Sequence, residues 1–284
     1  AYNLRSTSRF IDSALAHYPK ELELGDALNA QRIEDEQLAL TNFLKDHGYF
    51  TAQLGWVYFE IDTTGGPNAS EITGVVDPFI FGGLDERQRI SKITVRPTYS
   101  FQEANTVNDS TRTIHGIDVL QNDRLFHPGF LDEQIYLERG AFYDQNLLRT
   151  TYKNLSSLGV FQTVEVNVQP KDNALHATLN LVPLPKRSVS ANLEGLGNSG
   201  SLGVGGSFNW DNRNLFKGGE TLRLSLGGAL TEQRNSSSTS WLIDARELNA
   251  GVSLHLPKLL LPKTLTPPQA KFWRPKTKLG SQVA

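Results

Sequence analysis

Residues 188–256 read SVSANLEGLGNSGSLGVGGSFNWDNRNLFKGGETLRLSLGGALTEQRNSSSTSWLIDARELNAGVSLHL. Apolar or small residues at even positions alternate with polar or small residues in three runs, which are Leu202–Trp210, Leu222–Leu226 and Leu248–Leu256. The first run, Ser188–Leu196, alternates in the same way but has its apolar residues at odd positions. Successive side chains of a strand point to opposite faces. The sequence therefore predicts four strands, each with one apolar and one polar face.

Two architectures are compatible with this alternation. Segments of about ten residues with this pattern, separated by turns, are typical of outer-membrane β-barrels. The strands of a soluble sandwich or barrel alternate in the same way, and periodicity alone slightly favours that interpretation. No apolar run reaches the roughly 18 residues of a membrane helix, so a membrane span would have to be a closed barrel. Since about eight strands are the minimum for closure, we expect the chain to stop inside the barrel, with Lys276–Ala284 starting the next strand.

Composition excludes several classes of function. The 284 residues carry a net charge of -2 and no cysteine, which excludes disulfides, thiol catalysis and cysteine-ligated zinc and gives no reason to expect a nucleic-acid partner. The six histidines are scattered, and no metal-ligand motif is present. The G-x-G-x-x-G at 195–200 precedes a strand pattern rather than a helix, which argues against a dinucleotide site. We expect neither an enzyme nor a cofactor. With no initiator Met and no signal peptide, the chain is expected to be a mature or trimmed product.

The residues before 186 alternate between helical and strand patterns. Ala1–Lys20 is ambiguous, with helical spacing from Phe10 to Tyr18. Helices are predicted for Asp26–His47, Leu131–Leu137 and Tyr143–Leu158, the last with Asp144 as its N-cap. In the first of these helices Glu36 and the other charged residues fall mostly away from the apolar stripe. Strands are predicted for Thr51–Thr63, Ile72–Phe81, Arg89–Arg96, Thr113–Leu120, Thr163–Val168 and Leu175–Leu181.

One arrangement occurs twice. Leu44–Phe50 aligns with Leu155–Phe161, and in each case a helix, a glycine and an aromatic residue precede a strand hairpin. The repeat predicts two small α+β modules, residues 1–84 and 85–185, before the strands of residues 186–284.

Two motifs resemble those of a known superfamily. The run Ile135–Val164 resembles a POTRA domain, whose pattern is I-x-L-x-x-G-x-x-Y, a helix, L-x-x-L-G-x-F and V-x-V. The segment Asn212–Glu220 resembles N-R-N-L-F-G-G-G-E, the first periplasmic turn of Omp85-superfamily barrels, with Lys217 in place of a glycine. The style of the motifs is most similar to the TamA-like proteins of Bacteroidetes, ahead of BamA. The resemblance covers nearly the whole chain and is strongest over 129–262.

The resemblance implies α+β POTRA modules followed by the strands of an antiparallel transmembrane β-barrel that is incomplete in this chain. In that barrel Asp211–Gly219 would be a periplasmic turn and Thr231–Trp241 an external loop. It implies assembly or insertion of outer-membrane proteins, with the modules in the periplasm and the barrel in the cell outer membrane. The implied partners are unfolded outer-membrane or surface protein clients, outer-membrane lipid, and accessory periplasmic or inner-membrane subunits. Two alternatives stay open: an Omp85-type secretion pore for one exported protein, and a soluble periplasmic peptide-binding scaffold.

Three groups of residues are candidates for function. The first strand would form a barrel seam that opens to pair with a client strand by β-augmentation. A module edge would bind clients in the same way, either Thr163–Val168 in the second module or Thr51–Ile61 in the first. The seam residues are Ser188, Ser190, Asn192 and Glu194; the module edge is Thr163, Val164, Glu165, Val166, Asn167 and Val168. The turn motif is Asn212, Arg213, Asn214, Leu215, Phe216, Gly218, Gly219 and Glu220, in which Arg213 is expected to pair with Glu220 or Asp211.

Overall fold

Three sheets follow one another along the chain, and helices accompany the first two. The computed structural model describes residues 2–20, 29–62, 64, 71–99, 110–121, 125–198, 201–234, 241–258 and 276–283. The predicted order, α+β modules followed by long antiparallel strands that do not close into a barrel within the described residues, is confirmed.

The first module is a three-stranded sheet covered by two helices. Strand β1 runs parallel to β3, which pairs antiparallel with β2. Its elements are β1 (Tyr2–Ser6), α1 (Arg9–Leu15), α2 (Ala30–Asp46), β2 (Val57–Asp62) and β3 (Glu71–Val76). The strand predicted over Thr51–Thr63 starts only at Val57, because Leu54–Trp56 form a 3₁₀ turn that buries Trp56.

Two features of this module differ from the prediction. Strand β1 was not predicted, because its five residues are too few to show an alternation and two of them, Asn3 and Arg5, are exposed. Glu36 was expected to lie away from the apolar stripe of α2 but is buried, since the Tyr2 hydroxyl donates a 2.7 Å hydrogen bond to its Oε1.

The second module has a five-stranded sheet in the order β5-β6-β4-β8-β7, with β4 parallel to both of its neighbours. The predicted N-cap is confirmed, because the Asp144 carboxylate accepts a 3.0 Å bond from the amide of Leu147. Thr113–Leu120 is a hairpin rather than one extended segment. The elements are β4 (Ile90–Arg96), β5 (Ser110–Ile114), β6 (Ile117–Gln121), α3 (Pro128–Gln134), α4 (Gln145–Ser156), β7 (Phe161–Lys171) and β8 (Ala174–Pro183).

The sequence repeat corresponds to a structural repeat. Gly48 after α2 and Gly159 after α4 have φ angles of 104° and 70°, which glycine adopts at little cost. One detail of the alignment was wrong: the buried aromatic residue of the first module is Tyr49 rather than Phe50. The Phe50 ring instead meets the ring of Tyr143 in the second module, edge to face, with 5.0 Å between centroids.

Several hydrogen bonds hold the two modules together. Arg87 Nε donates to the carbonyl of His47 at 2.7 Å, and the amide of Gln88 donates to the carbonyl of Gly48 at 2.9 Å. The amide of Tyr143 donates to the carbonyl of Gln88 at 2.8 Å. The second module therefore starts on a segment that is already bonded to the end of α2.

The third sheet is antiparallel throughout, in the order β13-β12-β11-β10-β9. The strand expected from Lys276 is confirmed as β13. Strand β10 continues through Arg213, so the turn is shorter than the predicted Asp211–Gly219. Strand β11 continues through Arg234, into the loop predicted from Thr231; residues 235–240 of that loop lie outside the described residues. The bounds are β9 (Arg187–Asn198), β10 (Ser201–Arg213), β11 (Thr221–Arg234), β12 (Trp241–Leu256) and β13 (Thr277–Val283).

Candidate functional site

The register of the third sheet gathers the apolar side chains on one face. Trp210 lies opposite Val189, and the row continues on the other side to Leu224. Odd residues of β9 therefore share a face with even residues of β10 and β11, as the alternation predicts. Twelve exposed large apolar side chains lie on this face: Val189, Leu193, Leu202, Val204, Phe208, Leu224, Leu226, Leu230, Leu248, Val252, Leu279 and Val283.

This apolar face is larger than a soluble monomer usually exposes. Leu193 is 89% exposed and Leu248 is 79% exposed, and within the described part of the chain no second sheet packs on them. The largest contiguous apolar patch of a typical soluble monomer covers only a few hundred Å². A sandwich would bury such a face against another sheet. The face therefore needs a partner, which lipid or another polypeptide would supply.

The predicted seam residues lie on the opposite, polar face at the edge of the sheet. Strand β9 pairs only with β10 among the described strands. Ser190, Asn192 and Glu194 are exposed. Ser188 is half-buried, because its Oγ accepts a 2.8 Å hydrogen bond from Arg213 Nη1. The outer edge of β9 can receive another strand.

The turn motif closes on itself through two polar side chains. Glu220 is buried, and its Oε2 accepts from the amides of Phe216 at 3.1 Å and Gly218 at 3.0 Å. Asn214 Oδ1 accepts from the amide of Gly219 at 3.1 Å. Lys217, which stands where the related motif has a glycine, has a φ of 65°. Left-handed backbone favours glycine, which accounts for the glycine in the motif.

The turn also docks on the second module, a contact that the sequence did not predict. Asn214 Nδ2 donates to the carbonyl of Leu125 at 2.7 Å, and the amide of His127 donates to the carbonyl of Lys217 at 2.8 Å. A Cβ at Gly219 would lie 2.6 Å from Cζ of Phe130. The remaining turn residues contribute less: Leu215 is half-buried and Phe216 is exposed.

A charged cluster lies on the polar face beside the turn. Arg223 Nε and Nη2 donate to the two carboxylate oxygens of Asp211 at 2.7 and 3.1 Å, and Arg213 Nη2 lies 3.3 Å from the same carboxylate. Of the two expected partners of Arg213, Asp211 is the correct one. Arg223 was missed, although the register of two adjacent strands places it directly opposite Asp211.

The predicted client edge of the second module is also an edge strand. Strand β7 is the last strand of its sheet, paired with β8 on one side. Its alternate residues Val164, Val166 and Val168 pack against the core, whereas Thr163, Glu165 and Asn167 are exposed. In the first module β2 holds the same position, although only Val57–Ile61 of the predicted edge Thr51–Ile61 is strand.

The module interface contains a half-buried acidic group, Asp46. Burial and the neighbouring Asp144 carboxylate raise the pKa of Asp46, and the amide of Asn146 opposes this shift by donating a hydrogen bond. Asp46 Oδ1 has no hydrogen-bond partner among the described residues. Burial, Asp46 and Asp144 together raise the pKa of Tyr143 to about 12. The carboxylate of the first module thus lies at the N-terminus of α4 in the second.

The described residues offer neither a metal-binding cluster nor a membrane-spanning helix. They contain no group of three or more acidic or histidine side chains that could bind a metal ion. None of the helices in this part of the chain is both long and apolar enough to cross a membrane.

The chain was compared with known proteins. No protein-family profile and no curated protein matches it. It is similar to the structure of BamA from Haemophilus ducreyi lacking POTRA domains 1-3, with 15% identity and a TM-score of 0.49, over 89% of this chain and 47% of that one. It is also similar to POTRA3-5 of Haemophilus influenzae BamA (19% identity, TM-score 0.38, 64% of this chain, 59% of that one). A further similarity is to CdiB from Acinetobacter baumannii (11% identity, TM-score 0.34, 87% and 45%). The chain thus spans about half the length of the BamA and CdiB structures.

Proposed function

We propose that this chain is part of an outer-membrane assembly factor of the Omp85 superfamily, of the TamA-like type. The two modules, residues 1–84 and 85–185, act as periplasmic POTRA domains that receive unfolded client polypeptides. The strands of residues 186–284 begin a membrane barrel whose lateral seam inserts those clients. The mechanism involves no covalent chemistry and no cofactor.

The observation that carries the proposal is the exposed apolar face of the third sheet. Burial in an apolar environment stabilises each large apolar side chain by roughly 1.5–3 kcal/mol. Contact with lipid supplies this burial for the whole face at once, while the polar face stays in water. A soluble scaffold, the alternative left open by the sequence, would leave the face in water, so the arrangement favours the membrane.

The seam gives the proposal its mechanism. A client strand that pairs with the outer edge of β9 satisfies its backbone amides and carbonyls as it enters lipid, where each unpaired group would cost several kcal/mol. The edge of β7 offers the same backbone pairing before the client reaches the membrane. Because backbone groups make these bonds, client selection by sequence would be loose, as an assembly factor requires.

The second candidate is a pore that secretes one exported polypeptide. It is favoured by the charged cluster of Asp211, Arg213 and Arg223, which lies on the polar face at the end of the strands next to the second module. In that case the client would cross along the polar face and would not need the edge of β9.

Cell fractionation tests the membrane location. The full-length protein is expected in the outer membrane, with gel migration that shifts on heating because a closed barrel resists unfolding. Recovery as a soluble periplasmic protein without a heat shift would leave only the two modules, and the assembly proposal would be wrong.

Cysteine trapping tests the seam. The natural chain has no cysteine, so introduced thiols have no competitor within it. We expect Ser190→Cys in the edge strand β9 to form a disulfide with a cysteine in the terminal strand of a client during assembly. Ser225→Cys is the matched control, because it lies on the same face in β11, which is paired on both sides. Equal trapping at both positions would contradict the lateral seam, and a client trapped only at positions inside the pore would favour secretion.

A further inference from the structure

A recess of about 310 Å³ lies between the polar face of the third sheet and the end of helix α4. One row of cross-strand neighbours forms its wall: Arg213 lies opposite Thr221, Thr221 opposite His255, and His255 opposite Lys278. Arg223 belongs to the next row of the same face. Ser157–Gly159 close the recess from the side of the second module.

The recess is strongly basic although the chain as a whole is slightly acidic. Its described lining includes Arg213, Arg223, Lys276 and Lys278 and no acidic residue. The neighbouring Asp211 pairs with both arginines, which leaves an excess of about three positive charges. From Leu248 to Lys278 the sequence contains no aspartate or glutamate at all. Among the described residues, Asp211 is thus the acidic group that pairs with the cations of this lining.

One of the cations, Lys276, is held in place without being neutralised. Lys276 Nζ donates to the carbonyl of Ser157 at 3.0 Å and lies 3.3 Å from its Oγ. These neutral acceptors orient the ammonium group but leave its charge available. Lys278 is exposed in β13. An anion that enters the recess would meet oriented donors at little cost in side-chain ordering.

The position of the recess indicates the kind of anion. It lies on the polar face, so the sheet itself separates it from lipid that contacts the apolar face. The two rows of basic side chains are two residues apart along the strands, about 6.6–6.8 Å. Acidic residues at alternate positions of an extended polypeptide have the same spacing, and all of them point to one side.

We propose that this basic recess binds acidic side chains of an extended client polypeptide as it passes from the second module to the barrel. The inference rests on the proposed function, which it deepens by naming a client feature. It adds a preference for clients with acidic residues at positions i and i+2, independent of backbone pairing at β7 or β9.

Peptide binding tests the recess directly. The probes are two fluorescein-labelled peptides of about 12 residues in which threonine alternates with either aspartate or asparagine. Anisotropy is measured with the purified full-length protein in neutral detergent at about 50 mM salt. We expect the aspartate peptide to bind roughly tenfold more tightly than the asparagine peptide, and to lose most of this advantage at about 0.5 M salt because screening shortens the range of the charges.

The variants decide whether the recess is responsible. Lys276→Gln combined with Lys278→Gln should weaken the aspartate peptide about tenfold, whereas Lys153→Gln, an exposed lysine on α4, should leave binding unchanged. The single change Lys278→Gln, at an exposed position, keeps the test valid if the double variant folds poorly; it should weaken binding about threefold. Wild-type affinity in both the single and the double variant would overturn the proposal.

Three further outcomes identify which claim is wrong. If vesicles of phosphatidylglycerol bind with the same dependence on Lys276 and Lys278 and the aspartate peptide does not, the recess takes a lipid headgroup and the polypeptide proposal is wrong. If the peptide fails to bind but Ser190→Cys still traps clients, only the recess inference falls. If the peptide binds but no client is trapped or inserted, the proposed assembly function is wrong and the recess inference stands.

Discussion

Replacing Gly219 with alanine should detach the first turn of the third sheet from the second module. Gly219 has a φ of 77°, and a Cβ at this position would lie 2.6 Å from Cζ of Phe130 and 3.2 Å from its Cε2. Its amide also donates to Asn214 Oδ1, so any backbone shift that relieves the clash stretches a bond that shapes the turn.

The free-energy cost of Gly219→Ala has two separable parts. A left-handed backbone costs a residue with a Cβ about 1–2 kcal/mol. The clash is with the far end of a ring in a packed contact, and overpacking of this kind typically costs about 1–3 kcal/mol. The sum, about 2–5 kcal/mol, exceeds what the two turn-to-module hydrogen bonds contribute, at roughly 1 kcal/mol each. We therefore expect the contact to open locally while the sheets stay folded.

Amide hydrogen exchange measures this opening where it occurs. The amide of His127 donates to the carbonyl of Lys217 across the contact, so peptides that cover residues 125–131 report on it. If the contact between the turn and the second module loses about 2 kcal/mol of stability, exchange of these amides should become roughly thirtyfold faster, whereas exchange in strand β4 should not change. Far-UV circular dichroism in the same detergent verifies that the variant is folded.

A double-mutant cycle separates the clash from the backbone strain. In a Phe130→Ala background, Gly219→Ala should cause no steric clash, so only the cost of the left-handed backbone remains. The coupling energy between the two substitutions should therefore be about 1–3 kcal/mol. If residues 125–131 exchange at the wild-type rate in Gly219→Ala, or if Phe130→Ala does not reduce the effect, the reasoning from the turn geometry is wrong.

Three further changes test other contacts. Asn214→Ala removes the donor to Leu125 and should speed exchange of residues 125–131 by an amount equivalent to about 1–2 kcal/mol. Leu155→Ala empties a fully buried position in α4 and should lower the free energy of unfolding by about 2–5 kcal/mol, measured with urea in detergent. Because the pKa of Asp46 is raised in the folded state, protonation of Asp46 increases the free energy of unfolding. This contribution is fully present below the ordinary pKa of 3.8 and is lost as the pH rises through the folded-state pKa. Asp46→Asn should therefore have a higher urea midpoint than the wild type at pH 7 and the same midpoint at pH 3; a lower midpoint at pH 7 would contradict this.

The features that could be predicted from the sequence are those encoded by neighbouring residues. Period-two alternation depends only on the direction of successive side chains, so the faces of β9–β12 were predicted correctly. The cap of α4 by Asp144 was predicted for the same reason, since the carboxylate and the amide that it accepts from are three residues apart. The turn motif was located because its glycines and polar residues are contiguous.

The features that were missed depend on residues far apart in the sequence. Strand β1 pairs in parallel with β3, some 70 residues away, and a five-residue run carries no sign of its partner. The burial of Glu36 depends on the hydrogen bond from the hydroxyl of Tyr2, which lies in β1. The docking of the turn on Leu125 joins segments 89 residues apart. For these, the physical cause is tertiary packing, which overrides the local preference of each segment.

Two of the boundary errors have local physical reasons. The strand expected from Thr51 is shortened because burying Trp56 in a 3₁₀ turn fixes the chain before β2 begins. The turn expected from Asp211 begins later, because Asp211 and Arg213 keep their ladder positions in β10 while they bind their neighbours on the polar face. Polar residues at a strand end are easily mistaken for a turn when their partners are on another strand.

For the proposed seam, the contacts around the junction predict where it would open. Between β8 and β9 the amide of Leu184 donates to the carbonyl of Val160, and the amide of Arg213 donates to the carbonyl of Lys186, both within 3.0 Å. Arg213 also holds the side chain of Ser188, so the first residues of β9 are fixed to the module and to the turn. At the other end of β9, Gly195 and Gly197 have open space where a Cβ would lie, and glycine weakens a strand. In the proposed mechanism, strand β9 would therefore separate from the closing strand at its glycine end first, and a client would pair from that end towards the fixed junction.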